Sequence, residues 1–128
     1  MRYLLDTHVL LWFFDDVEKL SKTAFEAIVD PSSEIFVSIA SAWELSIKLR
    51  LGKLSFDGGV RNFFHTIEDN GFDLLTIEDE YVNLVETLPL IHRDPFDRML
   101  VSTAATENMS IITADTNIHQ YDVDCVWL

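Results

Sequence analysis

Four carboxylates set among apolar residues are the chain's candidates for chemistry: Asp6, Glu44, Asp97 and Asp115. Asp6 closes the run Tyr3-Leu4-Leu5, and Asp115 follows Ile111-Ile112-Thr113-Ala114. Glu44 lies between Trp43 and Leu45, while Asp97 sits in His92-Arg93-Asp94-Pro95-Phe96-Asp97-Arg98-Met99-Leu100. Each acid also has an ordinary structural role. Asp6 and Asp115 each read as a helix N-cap, as does Asp94, with Pro95 behind it at the first helical position. Asp97 then falls in the first turn, where the helix dipole favours a negative charge. Glu44 has Lys48 one turn on, an exposed-pair arrangement worth about 0.2–0.5 kcal/mol.

Convergence of the four would give them a second role. Two like charges about 4 Å apart, at an effective dielectric of about 20, repel by about 4 kcal/mol, so a shared site needs a cation. Hard carboxylate oxygens, with no His or Cys at metal-ligand spacing, select Mg²⁺ or Mn²⁺ over zinc. Such an ion keeps waters and takes phosphate oxygens as further ligands. Phosphodiester hydrolysis follows, the metal acidifying an attacking water and stabilising the leaving oxygen.

The elements that would position these acids alternate in type. A strand over residues 2–5 turns at Asp6-Thr7 into a helix carrying Val9, Leu10, Trp12 and Phe13. Ser21 caps a second helix that Asp30-Pro31 stops. Glu34 to Ser38 is a strand, followed by a helix from about Ile39 to Leu51 with Ile39, Trp43 and Ile47 on one apolar face. Val60, Phe63, Phe64 and Ile67 mark a helix ending at Asn70-Gly71, and Phe72 to Ile77 a strand. Tyr81, Leu84, Val85 and Leu88 mark another helix, broken by Pro89. The helix from Pro95 runs to about Asn108, before strands at Ser110 to Thr113 and Val123 to Leu128. This alternation predicts an α/β fold in three layers, a mostly parallel sheet covered on both faces. In such sheets ligands bind outside the carboxyl ends of the strands, where Asp6 and Asp115 would emerge.

The 128 residues suit a single domain spanning 1–128, and 48% hydrophobic content suits one packed core. The formal charge of −13 argues against a broad electrostatic grip on nucleic acid, so a polyanionic substrate would need metal ions or a local basic patch. One cysteine, Cys125, leaves no internal disulfide and fits a reducing cytoplasm. Asp6 and His8 interrupt the only stretch resembling a signal peptide. No segment approaches the roughly 20 apolar residues that cross a bilayer. A soluble cytoplasmic protein is expected.

The set Leu4-Leu5-Asp6-Thr7-His8, Ala42-Trp43-Glu44-Leu45, His92 through Leu100 and Ile112-Thr113-Ala114-Asp115, in this order, resembles the PIN-domain family. Within it the chain is most similar to VapC-type toxins of toxin-antitoxin pairs. The resemblance covers essentially the whole chain and implies a three-layer α/β/α fold and a Mg²⁺- or Mn²⁺-dependent endoribonuclease. It implies Asp6, Glu44, Asp97 and Asp115 as catalytic and metal-binding acids, with Thr7, Thr113 and Asp94 in support. It also implies an antitoxin and a second copy of the chain as partners. His8 stands where many members carry Asn or Ser, and Asn117 where some carry a further acid.

Arg93 and Arg98 flank the acids and are candidates for holding RNA phosphates or for neutralising carboxylates. Lys48, Arg50, Lys53 and Arg61 read first as cations at a helix end. His92 reads as a turn histidine, with proton transfer as its alternative task. The aromatics Trp12, Phe13, Phe14, Trp43, Phe63 and Phe64 are expected mostly in the core, some forming a patch for a partner. Two other classes compete: a PIN module without activity that binds RNA or protein, and a phosphoacceptor signalling domain. The latter needs adjacent N-terminal acids and a lysine near the last strand, which this chain lacks; a dehalogenase-like phosphatase would need an acid where His8 stands.

Overall fold

The computed structural model describes residues 1–128 as one five-stranded, all-parallel sheet with six helices, a three-layer α/β/α fold. In chain order the elements are β1 (Arg2–Leu5), α1 (Thr7–Asp15), α2 (Lys22–Val29), β2 (Glu34–Ser38), α3 (Ile39–Arg50), α4 (Gly59–Asp69), β3 (Asp73–Leu75), α5 (Asp79–Thr87), α6 (Pro95–Glu107), β4 (Ser110–Ile112) and β5 (Cys125–Val126). The strands lie in the order β3-β2-β1-β4-β5. The chain therefore builds outward from β1 on one side, then crosses over to build β4 and β5 on the other. The gap between β1 and β4 is the point where the order reverses, the crevice in which open α/β sheets hold ligands.

Strand alternation separates the two faces. Leu5 and Ile112 point into a cluster with Val9, Leu10, Ala24, Val37, Leu45, Phe63 and Ile67 from the first half of the chain. Their neighbours Leu4 and Ile111 point the other way, against Leu100, Val101, Ala104, Ile118 and Tyr121. Each central strand is thus apolar on both faces, as a covered parallel sheet requires. Full burial of one such side chain contributes about 1.5–3 kcal/mol.

Two strands are shorter than their hydrophobic runs. β2 ends at Ser38, paired with Leu75, because α3 starts at the next residue; Thr76 and Ile77 therefore have no strand beside them. β5 pairs only through Ile111–Cys125 and Ile112–Val126, since β4 itself has three residues. Beyond it, the carbonyls of Trp127 and Leu128 accept hydrogen bonds from Ser21 and Thr23 instead.

The apolar face expected for α3 is a second departure. Its buried residues are Ala40, Ser41, Ala42, Glu44 and Leu45, while Trp43 is 59% exposed, with Ile47 and Leu51 beside it on the surface. Small residues occupy most of its buried side, and the large apolar ones lie outward. Trp43 is not core; its ring packs edge-on against Phe96, with centroids 5.2 Å apart.

Candidate active site

Asp6 follows β1 directly, and its N–H continues the ladder to Ile112 O at 3.1 Å. It occupies the N-cap position of α1, yet its side chain caps nothing. The carboxylate is instead buried and accepts a hydrogen bond from the Thr113 hydroxyl at 2.7 Å. Burial pushes its pKa up, with the charges of Glu44 and Asp115 adding to the effect, against the lowering influence of Thr113 and His8. Thr113 also accepts the N–H of Asp115 at 3.0 Å, so one hydroxyl ties together the acids that follow β1 and β4. Asp115 turns back on itself, its Oδ1 accepting the Asn117 N–H at 2.8 Å.

At the start of α6 the division of labour follows the sequence. Asp94 Oδ1 accepts the N–H groups of Phe96 and Asp97 at 2.9 and 3.1 Å, so Asp94 is the N-cap, with Pro95 opening the helix. Asp97 is left free to point inward, 8% exposed. Its pKa is pushed up to about 8, first by burial and then by the charges of Asp6, Asp94, Asp115 and Glu44. Oxygens or nitrogens of His92, Asp97 and Asp115 lie within 4.8 Å of one another, the tightest donor group present.

Glu44 forms the expected pair with Lys48, but as a buried acid and not on the surface. It is 3% exposed, faces the cluster, and binds Lys48 Nζ through Oε2 at 2.6 Å. This bond raises the lysine pKa above its ordinary value, with Asp94 and Asp97 contributing. Lys48 is therefore a counter-ion inside the acidic site and not a solvated helix end. Thr7 supports the arrangement from below: its hydroxyl donates to Ser41 Oγ at 2.8 Å, fastening the β1–α1 turn to α3, which carries Glu44.

The two arginines separate. Arg93 is exposed at the rim of a cavity of 240 Å³ lined also by Trp43, Phe96 and Met99. Arg98 is 7% exposed and pairs with no carboxylate. Its guanidinium donates to the carbonyls of Val85, Leu88 and Pro89, where α5 ends, and to the Tyr121 hydroxyl. A planar fork with five donors suits the unpaired carbonyls of a helix C-terminus, and this use removes it from phosphate binding.

Sequence reasoning did not single out Tyr121, and it read His92 and Lys48 first in ordinary roles. His92 is no idle turn residue, since its Nε2 lies 3.1 Å from Asp97 Oδ2. Tyr121 contacts the other ring nitrogen, and only the fold brings it there from a 3₁₀ turn at Ile118–Gln120. Lys48 carried a signal in its spacing from Glu44. Burial pushes the Cys125 thiol up to about 11, so it stays protonated.

The donor set fits a divalent cation. Several buried carboxylates raise one another's proton affinity and have a single ammonium among them; a doubly charged ion would offset what Lys48 alone does not. Carboxylate oxygens dominate, which matches Mg²⁺ or Mn²⁺.

In overall structure the chain is similar to VapBC2 from Rickettsia felis bound to a promoter DNA fragment, with a TM-score of 0.76 at 13% identity over 100% of both chains. It is also similar to VapBC-1 from nontypeable Haemophilus influenzae, with a TM-score of 0.70 at 20% identity over 98% of this chain and 97% of that one. VapBC-5 from Mycobacterium tuberculosis, a member of the VapBC family of toxin-antitoxin systems, gives 0.64 at 16% identity over 99% and 98%. At these identities the likeness is one of fold. No curated protein sequence matches the chain significantly. The family model of the PIN domain matches residues 3–124, nearly the whole length, and the chain belongs to the PIN-domain family.

Proposed function

We propose that the chain is a VapC-type toxin, an endoribonuclease that hydrolyses RNA phosphodiester bonds with Mg²⁺ or Mn²⁺. The observation that carries this reading is the approach of Asp97 and Asp115 to within 4.8 Å at the β1/β4 crevice, with Asp6 joined to Asp115 through the Thr113 hydroxyl and Glu44 buried nearby. Nuclease activity is supported by the PIN family match, and the toxin assignment by the likeness to toxin-antitoxin proteins.

In this reading Asp6, Glu44, Asp97 and Asp115 would hold the metal, Glu44 with Lys48 bound to it. When bound, the ion supplies a water acidified enough to attack phosphorus and a positive charge for the leaving oxygen. The chain's own residues prepare the site. Thr113 fixes the rotamer of Asp6 and the turn of Asp115. Lys48 holds Glu44 in place and brings positive charge beside the path of an incoming phosphate. Arg93, exposed at the rim, is the arginine free to meet neighbouring phosphates. The overall charge of −13 repels RNA elsewhere, so contacts concentrate at this crevice.

Two protein partners accompany the assignment. An antitoxin is supported by the matched toxin-antitoxin complexes. For the homodimer we assign the outward face of α3, where Trp43, Ile47 and Leu51 form an apolar stripe that a second copy would cover. No helix is long and apolar enough to cross a membrane, and the cytoplasm, where RNA and reduced thiols coexist, is the assigned location.

The test is cleavage of a fluorescently labelled single-stranded RNA by purified protein. Cleavage with Mg²⁺ or Mn²⁺, stopped by EDTA and restored by excess metal, is expected. Full activity in EDTA would overturn the metal mechanism. Absence of cleavage under every metal condition, with the RNA still bound, would instead favour a PIN module without activity.

A further inference from the structure

A buried chain of side chains leads away from the acids. Arg98 Nη1 lies 3.0 Å from the Tyr121 hydroxyl, that hydroxyl lies 2.9 Å from His92 Nδ1, and His92 Nε2 lies 3.1 Å from Asp97 Oδ2. The direction of every hydrogen in it is fixed by its far end. A guanidinium can only donate, so the phenol oxygen accepts from Arg98. Tyr121 is 5% exposed, and its own hydrogen has one acceptor within reach, the Nδ1 of His92. Nδ1 therefore carries the lone pair, and Nε2 carries the hydrogen that Asp97 receives. A hydrogen on Nδ1 would leave the phenolic hydrogen buried without a partner, which folded proteins avoid.

We propose that His92 is a positioning residue, which holds Asp97 Oδ2 through an Nε2–H donor and stays off the metal. The proposal rests on the reading of Asp97 as a metal ligand. Proximity alone suggests otherwise, since His92, Asp97 and Asp115 have the spacing of a three-ligand group. The polarity of the chain decides against it, because a protonated ring nitrogen has no lone pair for a metal. Oδ1 of Asp97 is then the oxygen presented to the cluster, and the donor set is oxygen only, as hard cations prefer.

The anchor of the chain lies in the scaffold. Arg98 is gripped by the carbonyls of Val85, Leu88 and Pro89 at 3.1, 3.3 and 2.7 Å, so the end of α5 sets where Tyr121 and His92 sit. The His92 and Tyr121 rings meet edge-on with centroids 5.5 Å apart, which limits rotation of the imidazole. Orientation of a ligating carboxylate by such outer partners is commonly worth about 10–100-fold in metal affinity.

The test is ¹⁵N NMR of the His92 imidazole in the full chain, assigned with His92→Gln, in metal-free and Mg²⁺-loaded protein. An unprotonated Nδ1 and a protonated Nε2 are expected in both states, with this preference lost in Tyr121→Phe. An unprotonated Nε2 in the Mg²⁺-loaded protein would overturn the proposal. Electron spin-echo spectroscopy of Mn²⁺-loaded protein is expected to show no directly coordinated nitrogen; a ¹⁴N coupling that disappears in His92→Gln would also overturn it. Calorimetry should show Mn²⁺ affinity weakened about 10-fold by Tyr121→Phe, and unchanged affinity together with an unchanged tautomer would contradict it. Failure of the protein to bind Mn²⁺ at all would refute the metal reading of the site, and the metal-free imidazole shifts would still decide the direction of the hydrogen bond.

Discussion

Thr113 donates its hydroxyl hydrogen to Asp6 Oδ2 at 2.7 Å, joining residues 107 positions apart at the reversal point of the sheet. The Thr113 hydroxyl oxygen in turn accepts the Asp115 N–H, so the geometry of two acids depends on one side chain. Thr113→Val keeps the shape and removes both contacts. Mn²⁺ affinity, read by calorimetry, is expected to fall about 10-fold or more, as for other partners of metal ligands, while Thr113→Ser retains it. Equal affinities in wild type and Thr113→Val would show that the hydroxyl orients nothing of consequence.

Lys48→Met leaves Glu44 buried beside other acids without its cation. Removing one partner of a buried pair is strongly destabilising, but the lysine side chain is 29% exposed and water screens part of the effect; a loss of about 1–3 kcal/mol is expected for metal-free protein. Urea titration measures it. Saturating Mn²⁺ should recover part of the loss, because the ion takes over the compensation.

Stability of the metal-free protein should fall as pH rises from about 4 to about 8. Asp97 titrates near 3.8 when unfolded and near 8 when folded, so across this window the folded state holds a proton that the unfolded state has released. The contribution is full below the unfolded value and gone above the folded one. Thermal melts from pH 5 to 8.5 should show the decline, Asp97→Asn should flatten it, and added Mn²⁺ should raise Tm more at pH 8 than at pH 6. A wild-type slope equal to that of Asp97→Asn would remove Asp97 from the account.

Arg98→Met is expected to cost about 2–4 kcal/mol, since it strips carbonyls at the end of α5 and the Tyr121 hydroxyl of a buried charged donor. Arg98→Lys should recover little, because one ammonium cannot reproduce the fork. Chemical denaturation checks both, and a neutral result would mean these carbonyls find water instead.

What was legible in the sequence was local chemistry. Asp94-Pro95 announces a helix start, and the cap forms as expected. The ends of the apolar runs put Asp6 and Asp115 at strand carboxyl ends. The strand order was not legible, and it is this order that makes those two acids neighbours. Glu44 has two meanings in sequence, surface pair or buried acid, and the fold makes it a buried acid that keeps the pair with Lys48. Arg98 next to Asp97 invited an ion pair, whereas helical geometry turns adjacent side chains apart and sends it to α5. Tyr121 carried no local signal at all. Trp43 followed the helical period of a core residue, and period alone does not say which apolar face turns inward.

The central claim is that the acids at the β1/β4 crevice form a metal-dependent nuclease centre. It is tested most directly by the rate of RNA cleavage in Mn²⁺ by wild type and by Asp97→Asn, both shown to be folded. A drop of about 100-fold or more is predicted, with Asp97→Asn at least as stable as wild type at pH 8 without metal. Cleavage by Asp97→Asn at the wild-type rate would contradict the account.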